Sequence, residues 1–305
     1  MDYKKQLGMG KVNSNLTELT ENHFNNSVQF DSLHYFEKGA IDGGKNSISF
    51  NGEKSIRLYF ADTLPMTYIV NIERDSNIAL YTFFAPDSNS EFHINCNENS
   101  TCEHFVMQKE SSSQKINVTQ KSNSTYNAKI FQLNGANDSI NLFVTKDGEN
   151  ANTNLSGVFF PKGNEKYVIN TKVYHNKPNC ETIELFRGIA DQNGSGSFSG
   201  LIYVAKDAQK TSARQQNRNI LLSKDAHIHS EPQLEIYADD VICNHGSSTG
   251  QIDEEALWYM QARGIDKTTA MKLLVAGFAN DVLQQITNEQ LQNFIADCID
   301  KKLQE

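Results

Sequence analysis

The chain has 305 residues, 38% of them hydrophobic, with a net charge of −9 and a mean hydropathy of −0.54. That is enough apolar material for a core, and the lack of any run of about 18 apolar residues excludes a spanning helix. No Lys/Arg cluster offers the basic face of a free-standing nucleic-acid binder, and no apolar stretch follows the basic start MDYKKQLGMG, so a secreted precursor is not expected and the cytoplasm is.

Residues 1–44 form an N-terminal segment without a clear element. Within it, GAIDGGKNS comes close to a phosphate-binding loop, with Gly39, Gly44 and Lys45 correctly spaced. The hydroxyl that should follow the lysine is Asn46 instead, and the next residues, SISFNGEKSIRLYF, read as strand where the motif requires a helix N-terminus. The match is rejected.

From residue 45 to residue 250 the sequence reads as strand after strand. SIRLYF, TYIVNIE, IALYTFFA, EFHINC, KINVTQ, AKIFQL and INLFVT are short and rich in β-branched or aromatic residues, and most alternate. GVFF, YVINTKVYH, IELFRGIA, SFSGLIYVA, RNILL, AHIH and QLEIYADDVIC continue the series. Asn, Asp, Ser, Gly and Lys fill the gaps, which is turn chemistry. No amphipathic helix interrupts the strands, so a βαβ sheet is excluded, and a sandwich, a barrel or a solenoid remains. No repeat is crisp enough to choose among them. Asn-X-Ser/Thr triplets at Asn15, Asn99, Asn117, Asn123, Asn137 and Asn154 reflect Asn-rich composition rather than glycosylation.

The five cysteines, an odd number, argue for free thiols or metal ligands over a disulfide framework. HINCNENSTCEH holds the weak metal candidates His93, Cys96, Cys102 and His104. Their donor types suit zinc, but the spacing between the cysteines fits no usual zinc knuckle, and strand alternation could set His93 and Cys96 on opposite faces. His227 and His229 share a strand face and read as a solvated pair. Cys180 has no apparent partner, and Cys298 reads as a small core hydrophobe.

Residues 251–305 change period and read as a helical subdomain. Asp253 is placed to cap a first helix that Gly264 stops. Asp266 caps a second, whose apolar positions are Ala270, Leu273, Leu274, Gly277 and Phe278. Thr287 and Gln290 form a capping box for a third, striped by Leu291, Phe294, Ile295, Cys298 and Ile299. Trp258, Tyr259 and Met260 carry too much apolar surface for all three to face solvent, so some are expected in the core.

Between strands and helices lies ADDVICNHG. Cys243 and His245, two apart on a strand, point the same way and would offer a thiolate and an imidazole to zinc, iron or an iron–sulfur cluster. Two ligands do not complete a four-coordinate site, so distant residues or a second protein must join them. A polar strand end before a turn is the plain alternative. An enzyme using Asp239, Asp240 and His245 as acid/base groups, a hydrolase or lyase with or without a metal, is the other chemical reading. Adjacent aspartates on a strand face opposite ways, which weakens it.

SFSGLIYV, AQKTSARQQNRNILLS, PQLEIYADDV, CNHGSSTGQIDEEALWYMQARGI and LLVAGF, in that order, resemble the SufB/SufD family of iron–sulfur cluster assembly proteins. The likeness covers roughly residues 170 to 280, and ADDVICNHG followed by GQIDEE is closer to the SufD branch than to the SufB branch. The resemblance implies a mainly β fold, a right-handed parallel β-helix with a C-terminal α-helical subdomain. It implies a non-catalytic scaffold subunit, paired through its β-helix with a SufB-like subunit. A SufC-like ABC ATPase would bind the helices, with a homodimer as the alternative for the isolated chain. His245 corresponds to the family's interface histidine beside a transient Fe–S cluster shared with SufB, and Cys243 is the neighbouring family cysteine. Trp258, Tyr259, Arg263, Gly264, Leu274 and Phe278 would face the ATPase. Residues 1–44 stand where the family usually has a helical region and are reduced by comparison.

Overall fold

The computed structural model describes residues 32–36, 47–60, 67–84, 89–108 and 111–304. The chain begins with β1 (Ser32–Phe36), β2 (Ser47–Phe50), β3 (Glu53–Phe60), β4 (Thr67–Ile72), β5 (Asn77–Phe84) and β6 (Asn89–Cys96). It continues with β7 (Thr101–Gln108), β8 (Ser113–Gln120), β9 (Thr125–Gln132), β10 (Asn137–Lys146), β11 (Asn152–Phe159) and β12 (Lys166–His175). The body ends with β13 (Glu181–Ala190), β14 (Ser195–Val204), β15 (Ser212–Leu221), β16 (His227–Ile236) and β17 (Ile242–Gln251). Odd-numbered strands form one sheet and even-numbered strands the other, each in sequence order, and every pairing is parallel. Successive strands therefore alternate between two facing sheets, which is a parallel β-helix. Gly39, Gly44, Lys45 and Asn15 lie outside the described residues.

Alternation builds the core. In β10 every second residue is buried, and Ile140, Leu142 and Val144 face inward. Register stacks like on like: Val70, Ile94, Val118, Val144, Val173 and Ile202 are neighbours across β4, β6, β8, β10, β12 and β14. All six are buried, and each contributes roughly 1.5–3 kcal/mol relative to exposure. β-Branched side chains suit such a stack because their stiff rotamers pack well on a pleated surface.

The turns explain the asparagines. Asp75, Asn99, Asn123, Asn150 and Asn179 sit at equivalent corners of successive coils, all with φ between 56° and 59°. Asn and Asp tolerate this left-handed conformation best among residues with a Cβ. Their side chains join in a ladder: Asn99 Nδ2 donates to Asp75 Oδ1 (2.7 Å), Asn123 to Asn99 (3.0 Å) and Asn150 to Asn123 (3.0 Å). A second ladder runs from Asn154 to Asn127 (2.7 Å) and from there to Glu103. The amides of Asn99, Asn123 and Asn154 are thus engaged within the fold, which gives these three of the six triplets a structural role. Asn123→Ala removes two ladder bonds and strains the corner, so a loss of roughly 2 kcal/mol is expected. Asn123→Gly frees the backbone and should recover part of it, and denaturant melts of the two variants measure the difference.

The ladder also reveals the repeat. Corner residues are 24 residues apart in the early coils, then 27, and later coils separate their partners by 29 to 31. Strands lengthen in step, from eight residues in β8 to ten in β14.

Three helices follow: α1 (Glu254–Ala262), α2 (Lys267–Leu283) and α3 (Glu289–Gln304). Asp253 accepts from the Ala256 amide (2.9 Å) and Asp266 from the Thr269 amide (3.0 Å), as the sequence predicts. Gly264 ends α1 with φ +88°. The third cap differs from expectation: Asn288, not Thr287, accepts from the Leu291 amide (3.0 Å), since helical backbone begins at Glu289. α2 and α3 pack on the outer face of the odd-numbered sheet. There Tyr81, Phe105, Phe131, Val158 and Ile189 meet Val275, Val282, Leu291 and Ile295. A buried guanidinium pins α2 to that face, with Arg187 Nη2 donating to Asp281 Oδ2 (2.6 Å) and Gln216 Oε1 (3.0 Å).

Candidate functional site

The stacking rows lead to the site. Across the odd-numbered sheet one inward row runs Ile56, Leu80, His104, Ala128, Leu155, Glu184, Gln215, His245. A parallel row runs Ile78, Cys102, Tyr126, Thr153, Thr182, Ala213, Cys243. Both finish on β17, the last strand of its sheet. Beyond β17 and β16 no further described strand covers the interior. Positions that are buried one coil earlier, at Ala213 and Gln215, are therefore half-buried at Cys243 and exposed at His245. The geometry makes His245 an inward-pointing side chain at the open end of a solenoid.

Around it the lumen turns polar. Ser230 on β16 donates to Asn217 Oδ1 (2.7 Å), and Ser247 on β17 donates to Ser230 (2.7 Å). Asn219 Nδ2 bonds Asn217 Oδ1 (2.7 Å) and Thr249 Oγ1 (3.1 Å). Deeper in, Glu184 Oε2 accepts from Gln215 Nε2 (2.7 Å) and Thr171 Oγ1 (3.1 Å), and burial pushes the Glu184 carboxyl up to about 7. Cys243 sits with Ile202, Val204, Ala208, Ala213 and Leu234, and that apolar wall raises its thiol above the usual range. A proton must leave the sulfur before Cys243 can bind a metal ion. His245, free of that wall, is the readier donor.

The aspartates of the enzyme reading are placed elsewhere. The sequence runs them into a strand, but β16 ends at Ile236 and β17 begins at Ile242, so Asp239 and Asp240 occupy the arc between. Lys210 donates to the Asp240 carboxylate (2.7 Å) and Gln209 Oε1 accepts from the Asp240 amide (2.8 Å), which spends this residue on holding the turn. His227 and His229 face outward and exposed, as expected.

The Cys/His set of β6 and β7 divides. His93 points outward beside Glu91 (3.3 Å), whereas Cys96, Cys102 and His104 are buried inward, because strand alternation puts His93 and Cys96 on opposite faces. His104 is engaged by Thr82 (3.0 Å) and Tyr126 (2.7 Å), and burial lowers its pKa to about 3, so it is a neutral core residue. Among the described residues no group of three or more His, Cys, Asp or Glu is placed to hold a metal ion. The fourfold candidate site is therefore not assembled.

All five cysteines are free thiols, and only Cys243 is not fully buried. A single accessible thiol is expected with an aromatic disulfide reagent, slow at pH 8 because burial raises the Cys243 thiol, faster as pH rises, and lost in Cys243→Ser. Equal reaction of several cysteines in the folded chain would refute this placement.

On the helices, Leu257 is the buried residue of α1, while Trp258 and Tyr259 are 65% and 60% exposed. The large aromatic groups expected partly in the core are on the surface, with Arg263 lying over the Tyr259 ring (4.6 Å). In α2 the buried face is Ala270, Val275, Ala279, Val282 and Leu283, so the anticipated stripe is rotated. Leu273 is exposed, Leu274 half-buried, and Phe278 packs under Arg187 (5.7 Å). In α3 all five predicted stripe residues are buried.

The family model for the SufBD core domain of SUF-system FeS cluster assembly matches residues 62–278. The chain belongs to the SufBD family. It is 35% identical over 173 residues to the iron–sulfur cluster assembly protein SufD of Escherichia coli, covering 57% of this chain and 41% of that one. It is 33% identical over 159 residues to a SufBD family protein of Synechocystis, covering 52% and 35%. SufD of Bacillus subtilis is 29% identical over 142 residues, covering 47% and 32%. The matched segment spans less than half the length of each of these relatives. SufD-like character and the β-helix with helical tail, both expected from the motifs, hold. No described helix is long and apolar enough to cross a membrane.

Sequence reasoning found Cys243 and His245 but not Gln215, Glu184 or the Asn217–Ser230–Ser247 floor. The available signal was the polar alternation of SARQQNRN, whose inward residues are Ala213, Gln215, Asn217 and Asn219.

Proposed function

We propose that this chain is a non-catalytic SufD-like scaffold subunit that builds Fe–S clusters together with a SufB-like subunit and a SufC-like ABC ATPase in the cytoplasm. The carrying observation is His245 at the last position of an inward row, on a sheet edge that no other described strand pairs. Such an edge presents unused N–H and C=O groups and invites another strand. A SufB-like solenoid docking there would close the lumen and bring its own donors to His245, with Cys243 within the same pocket. The nascent cluster is cargo, so donors split between two chains favour its release when the chains move.

The exposed Trp258, Tyr259 and Arg263 with Leu274 supply an aromatic and basic surface for the ATPase, while Gly264 sets the turn into α2 and Phe278 underpins it. Because α2 is fastened to β13 through Arg187, movement imposed on the helices reaches the sheet that ends in β17. The enzyme reading is not favoured, since Asp240 is tied to Lys210.

Coexpression with the two partners is the test. A three-protein complex should form, and hydrogen exchange at the β17 amides should slow on docking. A chain that remains alone, or β17 amides that exchange as before in the complex, would refute the docking mode. A homodimer of the isolated chain would use the same edge and should give way to the SufB-like partner.

A further inference from the structure

We propose that Gln215 is the positioning residue for His245, accepting Nδ1–H from the imidazole and leaving Nε2 as the free donor. The inference rests on the reading of His245 as an interface ligand, and it concerns how that ring is held before any partner arrives.

Gln215 and His245 are register partners on adjacent parallel strands and belong to the same inward row. Neighbouring strands lie about 4.8 Å apart, so the two side chains emerge side by side. The Gln215 amide is already oriented from the other side, because Nε2 donates to Glu184 Oε2 (2.7 Å). A primary amide carries its oxygen away from its nitrogen, so a nitrogen committed to β13 leaves Oε1 for the β17 side. That oxygen is buried and no described residue, His245 included, is bonded to it, so the proposed bond forms when the exposed imidazole turns about its side-chain torsions to meet it. A buried acceptor left unpaired costs about 1–3 kcal/mol, which is reason to expect a donor.

The surroundings fix the amide further. A Cβ on Gly200 of β14 would collide with the Gln215 side chain, so the glycine in SFSGLIYV leaves room for this orientation. Glu184 is fully enclosed and keeps its place through Thr171 as well. Ligating histidines nearly always give their second ring N–H to an outer acceptor, which selects the tautomer and orients the ring. Here that acceptor is neutral. The Glu184 carboxyl stands one strand deeper and acts only through the amide, so the imidazole meets a neutral acceptor and not a carboxylate.

Ring ¹⁵N spectra of the full chain, labelled at histidine, test this at a pH where imidazole is neutral, with the His245 signals assigned by their loss in His245→Gln. The wild type should show the Nδ1–H tautomer as the dominant form. In Gln215→Met, of similar volume and without the acceptor, the ratio should invert toward Nε2–H, the form favoured by free imidazole. The exchanged pair Glu184→Gln/Gln215→Glu retains an acceptor beside His245 and should restore Nδ1–H. An unchanged ratio in folded Gln215→Met overturns the proposal. Should that variant not fold, a doubly exchanged chain showing Nε2–H overturns it instead. Because the spectra come from the chain without partner or cluster, failure here leaves the interface role standing. Normal cluster yield from His245→Ala would remove the interface role and leave the hydrogen bond intact.

Discussion

Replacing His245 by alanine should reduce cluster yield ~10-fold or more while leaving the solenoid and its complexes intact. The two halves of that expectation have separate causes. The ring is exposed at the end of its row, so truncating it removes no core packing, and the cost is confined to the Gln215 acceptor left without its donor, about 1–3 kcal/mol. The unpaired edge of β17 consists of backbone groups, which the substitution leaves in place. What disappears is a donor, and nothing nearby replaces it: Cys243 is held protonated by its apolar wall, while Ser247 and Thr249 offer hydroxyls occupied within the polar floor. Anaerobic reconstitution of the three-protein complex, followed by absorbance and acid-labile sulfide, measures the yield. His245→Cys should restore formation but slow transfer to an acceptor, because a thiolate binds iron more firmly than a neutral imidazole. A complex of His245→Ala that accumulates clusters at the wild-type level would sink the role assigned to this residue.

The second large effect is at the other end of the helical tail. Lys302 of α3 is buried against the solenoid, where its ammonium meets Glu165 (2.6 Å), the Leu133 carbonyl (2.7 Å) and the Tyr167 hydroxyl (3.0 Å). Its own carbonyl accepts from Lys162 (3.0 Å), which also pairs with Asp191 (3.3 Å). Lys302→Ala leaves a carboxylate and a carbonyl facing a gap, and removing one partner of a buried pair costs about 3–5 kcal/mol. Glu165 retains some solvent access, which favours the lower end of that range. Hydrogen exchange should locate the loss, with α3 amides opening at much lower free energy than β10 or β12. Protection of α3 equal to wild type would show that its apolar stripe alone holds the helix. The variant also bears on function, since α3 packs against α2, and α2 carries Leu274 and Phe278 of the surface assigned to the ATPase.

Strand content was legible because alternation over eight to ten residues is a strong signal, and parallel stacking repeats it coil after coil. The repeat itself was not. Its length drifts from 24 to 31 residues, and what recurs is a corner conformation filled by Asp or Asn, not a fixed motif. Cys243 and His245 were readable as a same-face pair, and the family motifs singled them out. Their place at an open end depends on where stacking stops, and that is a property of the whole sheet. The aspartates were misplaced because Ile236, Tyr237, Val241 and Ile242 read as one continuous strand, whereas the arc begins at Tyr237. In α1 the reasoning failed differently: large aromatics suggest burial, yet Leu257 is the buried residue, Met260 is half-buried, and Trp258 and Tyr259 face outward. Gln215 escaped notice since a glutamine in a polar strand carries no signal until register sets it between Glu184 and His245.

The unequal coil length has an evolutionary corollary. In the early part each turn of the spiral adds 24 residues and stacks on the turns above and below it, and from Tyr81 onward the helices also cover its outer face. Whole turns can therefore be gained or lost ahead of that covered stretch, as beads on a string, while the wide terminal turns and the helices stay unaltered. Relatives of quite different length could then share one business end, with the spacer behind it set by lineage.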